Sequence, residues 1–222
     1  MELKQIAHIE CDFKEKFGIP RQSGLVMTNA RIVFEKEYAN PDSVRGIEDY
    51  SHLWLLWHFS KTEQSGFSPT VRPPRLGGNK RMGVFATRSP NRPNPIGLSS
   101  VELKGVMIEN GVPVLYVAGA DLVDGTPIFD IKPYLAFTDL HPDAKGGFAD
   151  EVKEHFSKVE IPESAREGVD EHSLSVIKEL LMQDIRPSYQ NDKNRVYGFT
   201  YGKYDVKFTS HDGVTTVIEI EK

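Results

Sequence analysis

The chain has 222 residues, with 27 Lys and Arg against 32 Asp and Glu for a net charge of −5, and 39% hydrophobic residues. This acidic, globular composition excludes a histone-like polyanion binder, which is basic throughout. No run reaches the ~18 apolar residues needed to cross a bilayer, the first residues lack the apolar stretch of a secretory signal, and the one cysteine, Cys11, cannot form an internal disulfide. A cytoplasmic protein with no membrane partner is expected, built as one large domain or a main domain with a small appendage.

The elements read mostly as strands. Leu3 to Ile9 and Ala30 to Phe34 are short β-branched or apolar runs. A short helix is predicted at Pro41 to Ile47, with Asn40 as its cap. Ser51 to Ser60 (SHLWLLWHFS) reads as a buried strand and Gly83 to Thr87 (GVFAT) as a further short one. Leu98 to Ile108 and Val112 to Ala118 flank Asn110-Gly111, a strong hairpin signal because both residues tolerate positive φ. Thr126 to Ile131 follows a second turn at Asp124-Gly125. Six or more strands by residue 135, with no long helices between them, predict a closed or nearly closed β-barrel rather than a doubly wound sheet.

The character changes after Leu140. His141 to Arg166, acidic and polar, reads as a linker or irregular excursion. Glu171 to Gln183 has Leu174, Ile177, Leu180 and Leu181 at helical spacing, with Asp170 or Ser173 as its cap. Val196 to Tyr201, Tyr204 to Ser210 and Val214 to Ile220 read as a meander whose last turn is Asp212-Gly213. The expected organisation is therefore mainly β: a barrel domain over residues 1–143 and a small α+β domain over 144–222.

The charge is unevenly spread. Between Glu63 and Glu102 lie 38 residues without an acid, holding Arg72, Arg75, Lys80, Arg81, Arg88 and Arg92 and six of the fourteen prolines. This window carries +6 and the rest of the chain −11. Prolines at that density deny it long helices or central strands. The sequence has no G-x-G-x-x-G after a strand, no H-E-x-x-H and no paired C-x-x-C, and no metal is expected. Three glycine-, proline- and arginine-rich segments stand out: PRQSG at 20–24, RPPRLGGN running into GVFATRSPNRPNPIG at 72–97, and DLVDGTP at 121–127. Glycine admits a ligand close to the backbone, proline stiffens the loop, and arginine offers a planar fork to carboxylate or phosphate. Such loops suit a nucleotide-like ligand bearing a carboxylate, an RNA backbone, or both.

These segments, with the later DIRP at 184–187, closely resemble the TsaA-like family over nearly the whole chain. The resemblance implies an S-adenosylmethionine-dependent tRNA methyltransferase on a single β-barrel without a Rossmann domain, working as a homodimer. Its expected substrate is the exocyclic N6 of threonylcarbamoyladenosine at position 37, just 3′ of the anticodon, in the anticodon loop of threonine tRNA. It also implies a methyl-donor site at Gln22, Ser23, Gly24, Ser60, Lys61, Arg88, Leu98, Leu122, Val123, Asp124 and Gly125. Arg88 is the candidate for the donor's carboxylate and Leu98 for its adenine, against an ordinary core leucine. Asp124 is first a donor-site residue, second a base for the target nitrogen, and otherwise the starter of an Asp-Gly turn. Arg72, Arg75, Lys80, Arg81 and Arg92 are candidate phosphate contacts. Phe85, Tyr134 and Phe137 are candidate stacking partners if they are not core. Arg186, Pro187 and Tyr189 match a family motif that either meets tRNA or packs the two domains together. Two other readings stay open: a small-molecule methyltransferase on the same barrel, and a non-catalytic RNA-binding barrel.

Overall fold

The computed structural model describes residues 2–61, 67–73, 76, 80–151, 157–186, 192 and 195–222. Six strands close a barrel: β1 (Ala7–Cys11), β2 (Asn29–Phe34), β3 (His52–His58), β6 (Ile96–Glu109), β7 (Val112–Ala118) and β8 (Pro127–Pro133). Their order around the wall is β1-β2-β7-β6-β3-β8, and every neighbouring pair is antiparallel. Alternation along β3 explains its apolar run. Leu53, Leu55 and Trp57 fill the interior, while Trp54 and Leu56 lie half-buried on the other face. Ile9, Ile32, Val101, Leu115 and Ile128 complete a packed core. The β6–β7 hairpin turns on Asn110 (φ 52°) and Gly111 (φ 83°), the two positive angles its sequence predicts.

Gly97 permits the closest approach in this wall. A Cβ there would stand 2.2 Å from the Trp57 ring. Trp57 Nε1 in turn donates to Ser99 Oγ at 3.0 Å. Before β3, Asn40 caps a 3-10 turn at Pro41–Val44 by accepting from the Asp42 amide.

The acid-free window departs from the sequence prediction. Gly83 to Thr87 is not a strand. Only Met82–Gly83 (β5) pairs, with Thr70–Val71 (β4), and the chain then winds into a 3-10 turn at Val84–Ala86. The Thr87 amide and hydroxyl both donate to the Val84 carbonyl, closing the turn locally and leaving neither group for a sheet partner.

Beyond the barrel come the short helices α1 (Ala136–Asp139), α2 (Phe148–Glu151) and α3 (Glu163–Arg166), and then the longer α4 (Glu171–Met182). Asp170 caps α4 through the Ser173 amide at 2.9 Å. Val176, Ile177, Leu180 and Leu181 are its buried face, with Leu174 only half-buried. The strands β10 (Tyr197–Tyr201), β11 (Tyr204–His211) and β12 (Val214–Glu221) form the predicted meander. The stretch expected as linker adds a fourth strand, β9 (Lys158–Glu160), parallel to β12. Three residues are too few to give a periodic signal. The core between α4 and this sheet also takes in Phe13 and Val26 from the long β1–β2 connection.

Candidate active site

Parts of the three glycine- and arginine-rich segments, around Gln22, Arg88 and Asp121 and separated by up to a hundred residues, meet at one end of the barrel. The loop after β7 turns at Gly119 (φ 80°), whose carbonyl accepts from the Gly24 amide at 2.8 Å. This bond ties the 22–24 loop to the 121–125 segment. Gln22 lies between two arginines: its Nε2 donates to the Arg21 carbonyl at 2.5 Å, and its Oε1 accepts from Arg88. Gln22, Ser23, Gly24 and Arg88 therefore stand together, as their spacing alone could not predict. Leu98 lies on β6 opposite Leu56 and is 57% exposed, so it is not a core leucine.

A small cleft of about 190 Å³ is lined by Ser60, Lys61, Pro90, Asp121 and Val123, with Trp57, His58 and Phe59 of the β3 end and Lys16 and Ile19 of the first loop. Asp121 carries no distinguishing signal in the sequence, yet it is the most constrained acid here. Its Oδ1 accepts from Ser99 Oγ at 2.5 Å, and Ser99 is itself held by Trp57. The Ser23 amide also bonds to it and Arg88 lies near. Burial nevertheless outweighs these partners and holds the Asp121 carboxyl above its ordinary value. The inward-facing Ser99 on β6 is the one hint, but only the barrel register brings it to Asp121.

Asp124 faces a different cleft. Its Oδ1 accepts from the Cys11 amide at 2.9 Å and its Oδ2 from Lys14 at 2.8 Å. Burial alone would raise its carboxyl, but Lys14 and the Cys11 amide together bring it below its ordinary value. That second cleft, about 770 Å³, runs along the outside of the barrel past Glu10, Cys11, Arg31 and Tyr116. It is larger, but its bases are already paired: Lys14 with Asp124, Arg31 with Glu10 and Glu109, and Lys104 with Glu102. Chemistry therefore favours the smaller cleft. Leu122 is core and Val123 is buried, so they offer mainly backbone, and Gly125 (φ 74°) completes the turn.

The candidate phosphate contacts separate. Arg72, Lys80 and Arg81 are exposed, Arg81 bonding to Thr70 Oγ1 at 3.3 Å. Arg92 points its Nη1 at the carbonyls of Val84, Thr87 and Ser89, closest at Thr87 (2.7 Å), so it braces the loop that carries Arg88. Arg75, Gly77, Gly78, Asn79, Pro187 and Tyr189 lie outside the described residues. Phe85 is 72% exposed, stacks on Phe67 and lies under Arg92, while Phe137 is 87% exposed, so neither is core. Tyr134 is half-buried against Trp54. Among the described residues no three His, Cys, Asp or Glu gather as a metal site, and no helix is long and apolar enough to cross a membrane.

Comparison with known proteins agrees across the chain. The profile of the tRNA-methyltransferase O N-terminal domain matches residues 8–140, and that of the TrmO C-terminal domain matches residues 154–222. A tRNA (adenine(37)-N6)-methyltransferase of Escherichia coli is 41% identical, over 99% of this chain and 97% of that protein. A protein of the same description from Eikenella corrodens is 42% identical over 76% of this chain and 95% of its own length. The crystal structure of TrmO from Pseudomonas aeruginosa superposes with a TM-score of 0.79 at 32% identity, covering 100% of this chain and 99% of that one.

Proposed function

The chain belongs to the tRNA-methyltransferase O family, and we propose from that premise how its loops serve the reaction and which nucleoside it modifies. It is an S-adenosylmethionine-dependent tRNA (adenine(37)-N6)-methyltransferase. The finer reading is that it converts threonylcarbamoyladenosine to its N6-methyl form in the anticodon loop of threonine tRNA, in the cytoplasm and as a homodimer. Residues 1–143 carry the donor site, and 144–222 form the smaller α+β domain.

The observation that carries this reading is the convergence of Gln22, Ser23, Gly24, Arg88 and Asp121 at one barrel end. Their chemistry fits the donor: a guanidinium for a carboxylate, a buried carboxylate for an ammonium, and exposed Leu98 for an adenine face. When bound, S-adenosylmethionine supplies an electrophilic methyl group on a sulfonium. The protein's task is then alignment and exclusion of water, because the displacement is in-line and its rate depends on how closely N6 is held to the methyl carbon. In the transfer the sulfur–methyl bond breaks as the nitrogen–methyl bond forms, and N6 sheds its proton. The adjacent carbamoyl group makes that proton more acidic, which lightens the demand for a base. Neither aspartate is needed as that base: Asp121 is given to the donor's ammonium and Asp124 is committed to Lys14. Asp124 acts instead as a positioning residue that fixes the 122–125 turn to β1.

The test uses two threonine tRNAs, one unmodified and one carrying threonylcarbamoyladenosine, each incubated with methyl-labelled donor and digested to nucleosides. Label in the threonylcarbamoyl nucleoside alone is expected. Label on plain adenosine would refute the substrate assignment, and none on either RNA despite donor binding would favour a small-molecule acceptor.

A further inference from the structure

The β1–β2 connection belongs to two domains at once. It carries the Gln22-Ser23-Gly24 loop, yet its anchors lie in the other core. Phe13 and Val26 are buried in the cluster formed by α4 and the β10–β12 sheet, and Phe17 and Ile19 pack against it. Gly18 (φ 95°) fits so closely that a Cβ would stand 2.7 Å from the Phe199 ring. The Gly202 amide donates to the Asp12 carbonyl at 2.9 Å, and the Thr200 amide to Glu15 Oε1 at 3.2 Å.

One residue joins this contact to the donor loop. Arg21 Nη2 donates to the carbonyls of Asp184 at 2.5 Å and Arg186 at 3.0 Å, in the turn that ends α4. That turn is stiff: Asp184 adopts φ 42°, and Arg186 holds both of its carboxylate oxygens while donating to the Ser210 carbonyl of β11. The Arg186 side chain is 11% exposed, so it faces the protein rather than a nucleic acid. On the other side, Gln22 holds the Arg21 carbonyl and accepts from Arg88. A continuous chain of hydrogen bonds thus runs from β11 through Arg186, the Asp184 turn, Arg21 and Gln22 to Arg88.

We infer that the C-terminal domain is a clamp that holds the donor-binding loop in its working shape, with Arg21 as the positioning residue. It therefore sets affinity for the methyl donor, whatever it contributes to RNA binding. The physical reason is pre-organisation. A loop of this length between two strands would otherwise lose its freedom only when the ligand arrives, and affinity would fall accordingly. This inference rests on the donor site proposed above.

The test is made on the full chain with Arg21→Ala and Arg21→Lys, the latter keeping the charge but replacing the planar guanidinium, whose Nη2 reaches both carbonyls, by a shorter and more flexible ammonium. Affinity for S-adenosylhomocysteine is measured by calorimetry, KM for tRNA separately, and amide hydrogen exchange over residues 20–25. Both variants should bind S-adenosylhomocysteine at least ~10-fold more weakly, with tRNA KM within about 2-fold of wild type, and the loop should exchange faster while β10–β12 stay protected. Unchanged affinity and unchanged loop exchange would overturn the clamp, as would a rise in tRNA KM alone. If Arg21→Ala fails to fold, Arg21→Lys decides. Wild-type protein that does not bind S-adenosylhomocysteine would instead refute the donor site itself, and loop exchange would still decide whether the clamp exists.

Discussion

Asp121 and Asp124 lie three residues apart in one loop, and their carboxyls are shifted in opposite directions. Burial lifts Asp121, whereas Lys14 and the Cys11 amide lower Asp124. The sequence DLVDGTP singles out Asp124, because an Asp-Gly pair is a visible turn signal. Asp121 becomes visible only when the barrel brings in Ser99 and Trp57. A raised carboxyl favours the neutral form in the folded state. Its ionised form is thus a cost at pH above the folded value, and the cost vanishes below the ordinary 3.8, where both states are protonated. Asp121→Asn should therefore melt no lower than wild type at pH 7, and any gain should disappear below pH ~3.8. The same substitution removes a charged hydrogen-bond partner and should lower kcat/KM for the donor by roughly 10- to 100-fold. It should also remove the acid limb of the rate profile, which arises as the carboxylate is protonated. Melting curves and rates across pH read both effects, and full activity in the variant would make Asp121 merely structural.

At the scale of elements, the barrel was the legible part. Period-two alternation in β3 and the Asn-Gly hairpin are local signals, and the strands stand where those signals put them. The window around residue 85 was not, because its shape is set by Thr87 and Arg92 bonding to nearby carbonyls, which no periodicity records. Gly97 shows how an element serves the site. It seats the Trp57 ring, which orients Ser99 toward Asp121. Gly97→Ala should cost about 3 kcal/mol in denaturant unfolding, since the added methyl must displace a packed ring. Arg92→Ala should behave as a loop mutation: its donor affinity should fall along with its RNA affinity. If only RNA affinity falls, Arg92 is a phosphate contact after all.

For the whole molecule, the net charge of −5 conceals a basic segment in an acidic protein. Of the described bases in that window, Arg72, Lys80, Arg81 and Arg88 are exposed, but Arg88 is engaged with Gln22, and half-buried Arg92 with loop carbonyls. Replacing Arg72 and Arg81 with alanine should weaken tRNA binding and flatten its dependence on salt by roughly one unit of log–log slope for each phosphate no longer neutralised. Donor affinity should not change. Titrations of both ligands from low to moderate salt check this, and an unaltered slope would place the RNA elsewhere. The two-domain outline was legible from the shift in composition after Leu140. The interlocking was not, because Phe13, Gly18 and Val26 look like ordinary loop residues until the second core closes over them.

The most direct test is a crystal structure with S-adenosylhomocysteine bound. The ligand should lie in the cleft lined by Ser60, Lys61 and Asp121, with its carboxylate on Arg88 and its amine within hydrogen-bond reach of Asp121. Density in the outer cleft beside Lys14 and Asp124 would contradict this placement of the donor.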